Sequence, residues 1–176
     1  MSTEPRPGTI GLTQIGGKTG KIIRFGQWLD SEPLSRWADE RAAPDYEHAF
    51  VLGGSPAGSI IEAEPGGARF GNVSEYKDIY WCENIADKFG VKLNDVVAAG
   101  PKYIGTPYSF LDYEALFLRR LHIPSSLLKD YVASTGHMIC SQLAARMYLD
   151  AGCPLYTTWT GWVTPLDLYD LDRSLA

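Results

Sequence analysis

Met138–Gly152, MICSQLAARMYLDAG, is the stretch on which the fold turns. Counted from Cys140, the apolar residues Leu143, Ala144, Met147, Tyr148 and Ala151 fall 3, 4, 7, 8 and 11 positions on, the spacing of one helix face. Gly152 supplies a C-terminal stop, and the glycine-broken loop STGH ends just before the segment. Cys140 therefore belongs in the first turn of an amphipathic helix. Backbone amides without intrahelical partners and the positive end of the helix dipole lie there, and both favour a thiolate over a thiol. The same place suits a small buried apolar side chain, the commonest fate of a free cysteine.

A thiolate nucleophile needs a base, and the chain has three histidines: His48, His122 and His137. His48 opens the run HAFVLGG. In a strand His48, Phe50 and Leu52 point one way while Ala49 and Val51 point the other, so a polar ring sits at the end of an apolar strand. A base and a surface strand-end histidine both fit that place. His122, between LRRL and IPSS, reads as a helix-end or loop residue. His137 stands three residues before Cys140 and could ligate a metal with it, but zinc wants two more ligands in local pairs. Neither Cys82 nor Cys153 has a Cys or His three residues away, so no metal site is expected.

The strand after His48 supplies a candidate orienting carboxylate. If HAFVL and SIIEAE form a hairpin over GGSPAG with Val51 opposite Ser59, His48 stands opposite Glu62. A one-residue slip faces His48 toward Ala63 instead. Glu64, Asp45 and Glu47 read as surface charges. GGKTGK, Gly16 to Lys21, contains the Gly-Lys-Thr of a phosphate-binding loop, but Leu12 stands where that motif requires its first glycine, so a turn is the better reading.

Beyond these segments, short apolar runs bounded by Gly, Ser and Pro fill the first half (GTIGLTQIGG, HAFVLGG, SIIEAE, ARFGNV, KDIYWCEN), around an excursion over residues 30–46 that reads as surface. From about residue 85 helical spacing takes over, in NIADKFGVKLNDVVAAGPKYIG, FLDYEALFLRRL, PSSLLKDYVAS and the cysteine segment. Strands first and helices second predict an α+β fold rather than alternating β-α units. The 176 residues, 45% hydrophobic, suffice for one core, and a single domain over 1–176 is expected. A net charge of −5 without a lysine or arginine run disfavours nucleic-acid binding. MSTEPRPGTIGLTQ lacks the basic and apolar regions of a signal peptide, and no segment nears the roughly 18 apolar residues of a membrane span. A soluble, cytoplasmic chain with no integral membrane segment is the expectation, and three widely spaced cysteines suit reduced thiols.

Taken in order, GTIGL, HAFVLGG, IIEAEPGGARFG, YIGTPYSF, MICSQLAARMYLDAG and VTPLDLYD resemble the motifs of the circularly permuted branch of the NlpC-type papain-like hydrolases, the YiiX-like proteins. Lecithin retinol acyltransferase is a more distant likeness. In unpermuted relatives the cysteine helix precedes the histidine strand; here His48 comes 92 residues before Cys140. The resemblance implies Cys140 as nucleophile, His48 as general base and Glu62 as the residue that orients the imidazole. Tyr108, in GTPYSF, matches a cleft tyrosine, and with Ser141, beside the nucleophile, it is an expected substrate-binding residue. Two departures stand out: Thr9 where the family usually has aspartate, and Ala-Phe after the histidine rather than Val-Gly.

The implied fold is a small antiparallel sheet packed against helices. The implied activity is a cysteine hydrolase working through a thioester, with no metal or cofactor, on an amide bond of a small or cell-wall-type peptide. Acyl transfer or thioester hydrolysis on a lipid is the alternative substrate class. A binding protein that keeps the fold without turnover is the rival of another kind.

Overall fold

The computed structural model describes residues 4–14, 46–64, 66–107, 138–157 and 163–176. Its five strands are β1 (Ile10–Thr13), β2 (His48–Leu52), β3 (Ser59–Glu64), β4 (Gly67–Asn72) and β5 (Tyr80–Trp81). They form one antiparallel sheet in the order β4-β3-β2-β1-β5. Four α-helices follow among the described residues: α1 (Glu83–Lys88), α2 (Leu93–Ala99), α3 (Cys140–Asp150) and α4 (Pro165–Ser174). This is the α+β arrangement that the strands-then-helices order predicts.

Both faces of the sheet are covered, which is why β2 reads as a continuous apolar run and is buried along its whole length. Ala49, Val51, Ile61 and Ala63 face the main core, where they join Leu143, Ala144, Met147 and Tyr148 of α3. Phe50, Leu52 and Ile60 form a second cluster under Val73, Tyr76, Ile79 and Trp81. An isolated helix of 11 residues is marginal in water. Burying Leu143, Met147 and Tyr148, at roughly 1.5–3 kcal/mol for each large apolar side chain, is what holds α3 in place.

The hairpin register differs from the expected one by two residues. Val51 pairs with Ile61 and Phe50 with Glu62, so His48 is not opposite Glu62. The turn decides this: Gly53 N–H donates to Ser59 O (2.7 Å), leaving Gly54 to Gly58 as the loop. Gly58 has φ +76°, a conformation glycine adopts without strain, and the expected register would have placed it in a strand. A two-residue shift preserves the face on which every side chain lies, so Glu62 still shares the His48 side of the sheet.

The segment Asn84–Gly105 divides into α1, α2 and a 3-10 turn at Gly100–Tyr103; Gly90, at φ +64°, follows the end of α1. In KDIYWCEN only Tyr80–Trp81 is strand. VTPLDLYD lies at the start of α4, where Thr164 Oγ1 accepts from Asp167 N–H (3.1 Å) and Pro165 takes the first helical position. Buried Asp172 on α4 accepts from Ile85 N–H (2.9 Å), Asn84 Nδ2 (3.1 Å) and the Tyr80 hydroxyl (2.8 Å). It thereby caps α1, whose own N-cap, Cys82, supplies no side-chain hydrogen bond. GGKTGK, FLDYEALFLRRL, PSSLLKDYVAS, Asp45, Tyr108, His122 and His137 lie outside the described residues. Among the described residues no helix is long and apolar enough to cross a membrane.

Candidate active site

Helix α3 packs across β2 and β3 and carries its first residue, Cys140, to the first residue of β2, His48. The two side chains are hydrogen-bonded. On the other side of the ring, Nε2 lies 2.8 Å from Glu62 Oε2. The diagonal geometry explains how Glu62 reaches the ring from a position opposite Phe50, since neighbours two residues off register remain within reach of long side chains. His48 and Cys140 are each 1% exposed and Glu62 is fully buried.

Burial by itself would push the His48 pKa down. The hydrogen bonds and charges of Cys140 and Glu62 outweigh it and raise the pKa to about 9. The raised pKa favours the imidazolium, with the Cys140 side chain and the Glu62 carboxylate as its partners. Burial raises the pKa of both other cysteines, Cys82 well above the ordinary thiol value.

Glu62 is itself held on three sides. Oε2 also receives the Tyr76 hydroxyl (2.6 Å), and Arg69 Nη2 lies 2.6 Å from Oε1 at an angle outside hydrogen-bond geometry, an ion pair rather than a hydrogen bond. Gly71 makes room on β4: a Cβ there would stand 2.3 Å from Oε1. Tyr76 Oη further lies 2.9 Å from Glu64 Oε1 and 3.2 Å from His48 Nε2. Its pKa is raised, first by burial and then by Glu62. Arg69 contacts Glu64 (3.1 Å) and Glu75 (2.8 Å), and its pKa is raised above the usual arginine value, the hydrogen bond to Glu75 leading.

Arg69, Gly71 and Tyr76 did not emerge from periodicity or motif spacing. One local signal was present: Asn72 and Glu75 form a capping box, with Ser74 N–H donating to Asn72 Oδ1 (3.0 Å) and Asn72 N–H to Glu75 Oε1 (2.8 Å). That turn folds the chain after β4 back over the sheet and brings Tyr76 onto His48, ring centroids 5.2 Å apart. Two of the residues expected to be surface charges are not: Glu47 is 1% exposed, and Glu64 belongs to this network with a side chain 33% exposed.

Ser141 is fully buried, and its hydroxyl donates to Val163 O (2.7 Å), fixing the start of α3 to the segment leading into α4. At the N-cap, Ile139 has no side-chain acceptor for the first-turn amides; Gln142 Oε1 reaches back to accept from Ile139 N–H (3.1 Å). Tyr108, the other expected substrate-binding residue, lies outside the described residues.

His48, Glu62 and Glu64 offer an imidazole and two carboxylates whose ligand atoms lie within 4.8 Å of one another, a donor set for a divalent cation. The Arg69 guanidinium already pairs with both carboxylates and Tyr76 bridges them, so a cation here would have to displace a fixed positive charge. The cluster fits an anchored imidazolium better than a metal.

Compared with protein-family models, curated proteins and solved structures, the chain matches none.

Proposed function

We propose that the protein is a cysteine hydrolase of the permuted papain-like kind, working through a thioester acyl-enzyme. The observation that carries this is the hydrogen-bonded line Cys140–His48–Glu62, drawn from an amphipathic helix and two strands that precede it in the chain. A five-stranded antiparallel sheet with the cysteine helix laid across it is compatible with that fold.

In the reaction the Cys140 thiolate attacks a carbonyl carbon while His48 holds the proton taken from the thiol. The carbonyl oxygen becomes an oxyanion facing the first-turn amides of α3. Collapse of this intermediate breaks the carbon–nitrogen bond, and His48 passes its proton to the leaving amine. Water then attacks the thioester, giving one proton to His48; collapse of this second intermediate breaks the carbon–sulfur bond, the acid loses its remaining proton to solvent as it departs, and the thiolate is restored beside the imidazolium. Glu62 keeps the ring in one tautomer and orientation throughout. A small peptide amide is the first substrate class and an acyl lipid the second.

Burial sets a requirement, because the substrate must reach Cys140, a residue that is 1% exposed. The same number favours a second reading, a catalytically silent binding protein on this scaffold. Limiting iodoacetamide on the native protein, read by intact mass and peptide mapping in wild type and His48→Ala, separates the two. Hydrolysis requires Cys140 to react first and to slow at least about tenfold without His48. An inert Cys140, or one indifferent to His48, would leave the scaffold reading.

A further inference from the structure

We propose that Glu64, held beside the imidazole by the Tyr76 hydroxyl, is a second carboxylate that tunes the Cys140–His48 pair, making Glu64 and Tyr76 positioning residues of the site. For its catalytic meaning this rests on the hydrolase reading above.

Among the described residues, the network around His48 contains one fixed cation and several anions. Cys140 approaches from α3, Glu62 and Glu64 from β3, Arg69 from β4, and Tyr76 from the turn after β4, while Glu75 acts through Arg69. From β1, Thr13 stands opposite His48 and brings no charge. A Glu64 carboxylate oxygen lies within 4.8 Å of a His48 ring nitrogen. The Tyr76 hydroxyl has one proton and two carboxylate acceptors, Glu62 Oε2 at 2.6 Å and Glu64 Oε1 at 2.9 Å, so it ties the exposed carboxylate to the buried one. Arg69 balances Glu62 from the far side and pairs with Glu64 as well. Glu62 therefore sets the ring's orientation, and Glu64 adds a negative charge that is one-third exposed and replaceable without opening the core.

The sign of the effect is fixed by electrostatics. Replacing Glu64 by the neutral amide removes a negative charge near both members of the pair. The imidazolium then loses its proton at lower pH, and the thiol also ionises at lower pH because the thiolate is less repelled. Both transitions move down together, by about half to one pH unit for a partly exposed charge at this distance. A merely structural loss would instead lower the reaction rate at every pH and leave the transitions where they were.

The test is an NMR titration of the three histidines, with His48 assigned through His48→Gln, alongside the pH dependence of Cys140 alkylation by iodoacetamide. Wild type, Glu64→Gln, Tyr76→Phe and the double variant are compared. The expected result is a lower His48 midpoint in Glu64→Gln, a parallel fall in the acid-side onset of alkylation, and less than half that displacement in the Tyr76→Phe background. An unmoved His48 midpoint in folded Glu64→Gln overturns the proposal, and an undiminished displacement without the hydroxyl removes Tyr76 from it. If the midpoint falls while Cys140 alkylates in no variant, the hydrolase reading fails and the charge coupling stands. If Cys140 reacts in a His48-dependent way but Glu64→Gln moves neither transition, only the present inference falls.

Discussion

Glu62 stands directly across the hairpin from Phe50, yet its Oε2 lies 2.8 Å from His48 Nε2, one diagonal step along the strand. The carboxylate can make that reach only if its other oxygen has somewhere to go, and the space above Gly71 provides it. Gly71→Ala should push the carboxylate off the ring. We expect a loss of about 1–3 kcal/mol in stability, the usual cost of overpacking, together with a lower His48 midpoint. Gly66→Ala is the control, since among the described residues nothing lies within 4 Å of a Cβ at that position. Equal denaturation midpoints for the two variants would show that the close approach to Gly71 carries no consequence.

The three cysteines should separate by chemistry. All are buried, and burial raises the thiol pKa of Cys82 and Cys153, which keeps them protonated at neutral pH. Among the described residues, Cys140 is the cysteine with an imidazole partner. Native alkylation at pH 7 should modify Cys140 at least about tenfold faster than the other two. Uniform labelling, or preferential labelling of Cys153, would contradict the ion pair.

Stability should depend on pH through His48. Its folded-state pKa, about 9, lies above the ordinary value of 6.5, so protonation favours the folded state. That contribution is complete below about pH 6.5 and is lost as pH rises through about 9. On the proposed reading the folded state holds a thiolate, and the unfolded thiol ionises only near the ordinary value of about 8.5, so the two groups offset each other: the urea midpoint of wild type should stay nearly level from about pH 6.5 to 8.5 and fall above it, whereas that of Cys140→Ala, whose ring keeps Glu62 alone, should fall from about pH 6.5 upward. Parallel curves for the two proteins would show that the thiol does not hold the charge.

Asp172 offers a test away from the site. Its carboxylate caps α1 from α4 through Ile85 N–H and also receives Asn84 and Tyr80. Asp172→Ala leaves these donors without their acceptor and should cost about 2–4 kcal/mol, seen as a lower thermal midpoint. The alkylation rate of Cys140 in the folded fraction should change by less than about twofold, because Ile85, Asn84 and Tyr80 are not among the described hydrogen-bond partners of His48.

Much of this site was legible from residue order, for an identifiable reason. The cysteine helix announced itself through 3.6-residue periodicity, and the strand faces through alternation, which survives any two-residue change of register. Hence His48 and Glu62 were placed on one face even though Val51 pairs with Ile61 rather than Ser59. Exact register was not legible, because it depends on which loop glycine takes the positive φ, and the loop offers Gly53, Gly54 and Gly58. Arg69 and Tyr76 escaped for another reason: their partners are set by tertiary approach, which neither periodicity nor spacing records. The role of Asp172 was hidden in the same way, since its partners lie 87 to 92 residues earlier in the chain.

The setting of Glu62 also constrains how this position can change over generations. One carboxylate oxygen faces an imidazole and the other a guanidinium. An amide in its place would turn a hydrogen-bond donor toward one of these two cations, whichever way it was flipped. Glu62→Gln is therefore penalised while Arg69 keeps its charge. A neutral residue at position 69 would lift that penalty from one side, so the cost of a change at either position depends on which residue stands at the other.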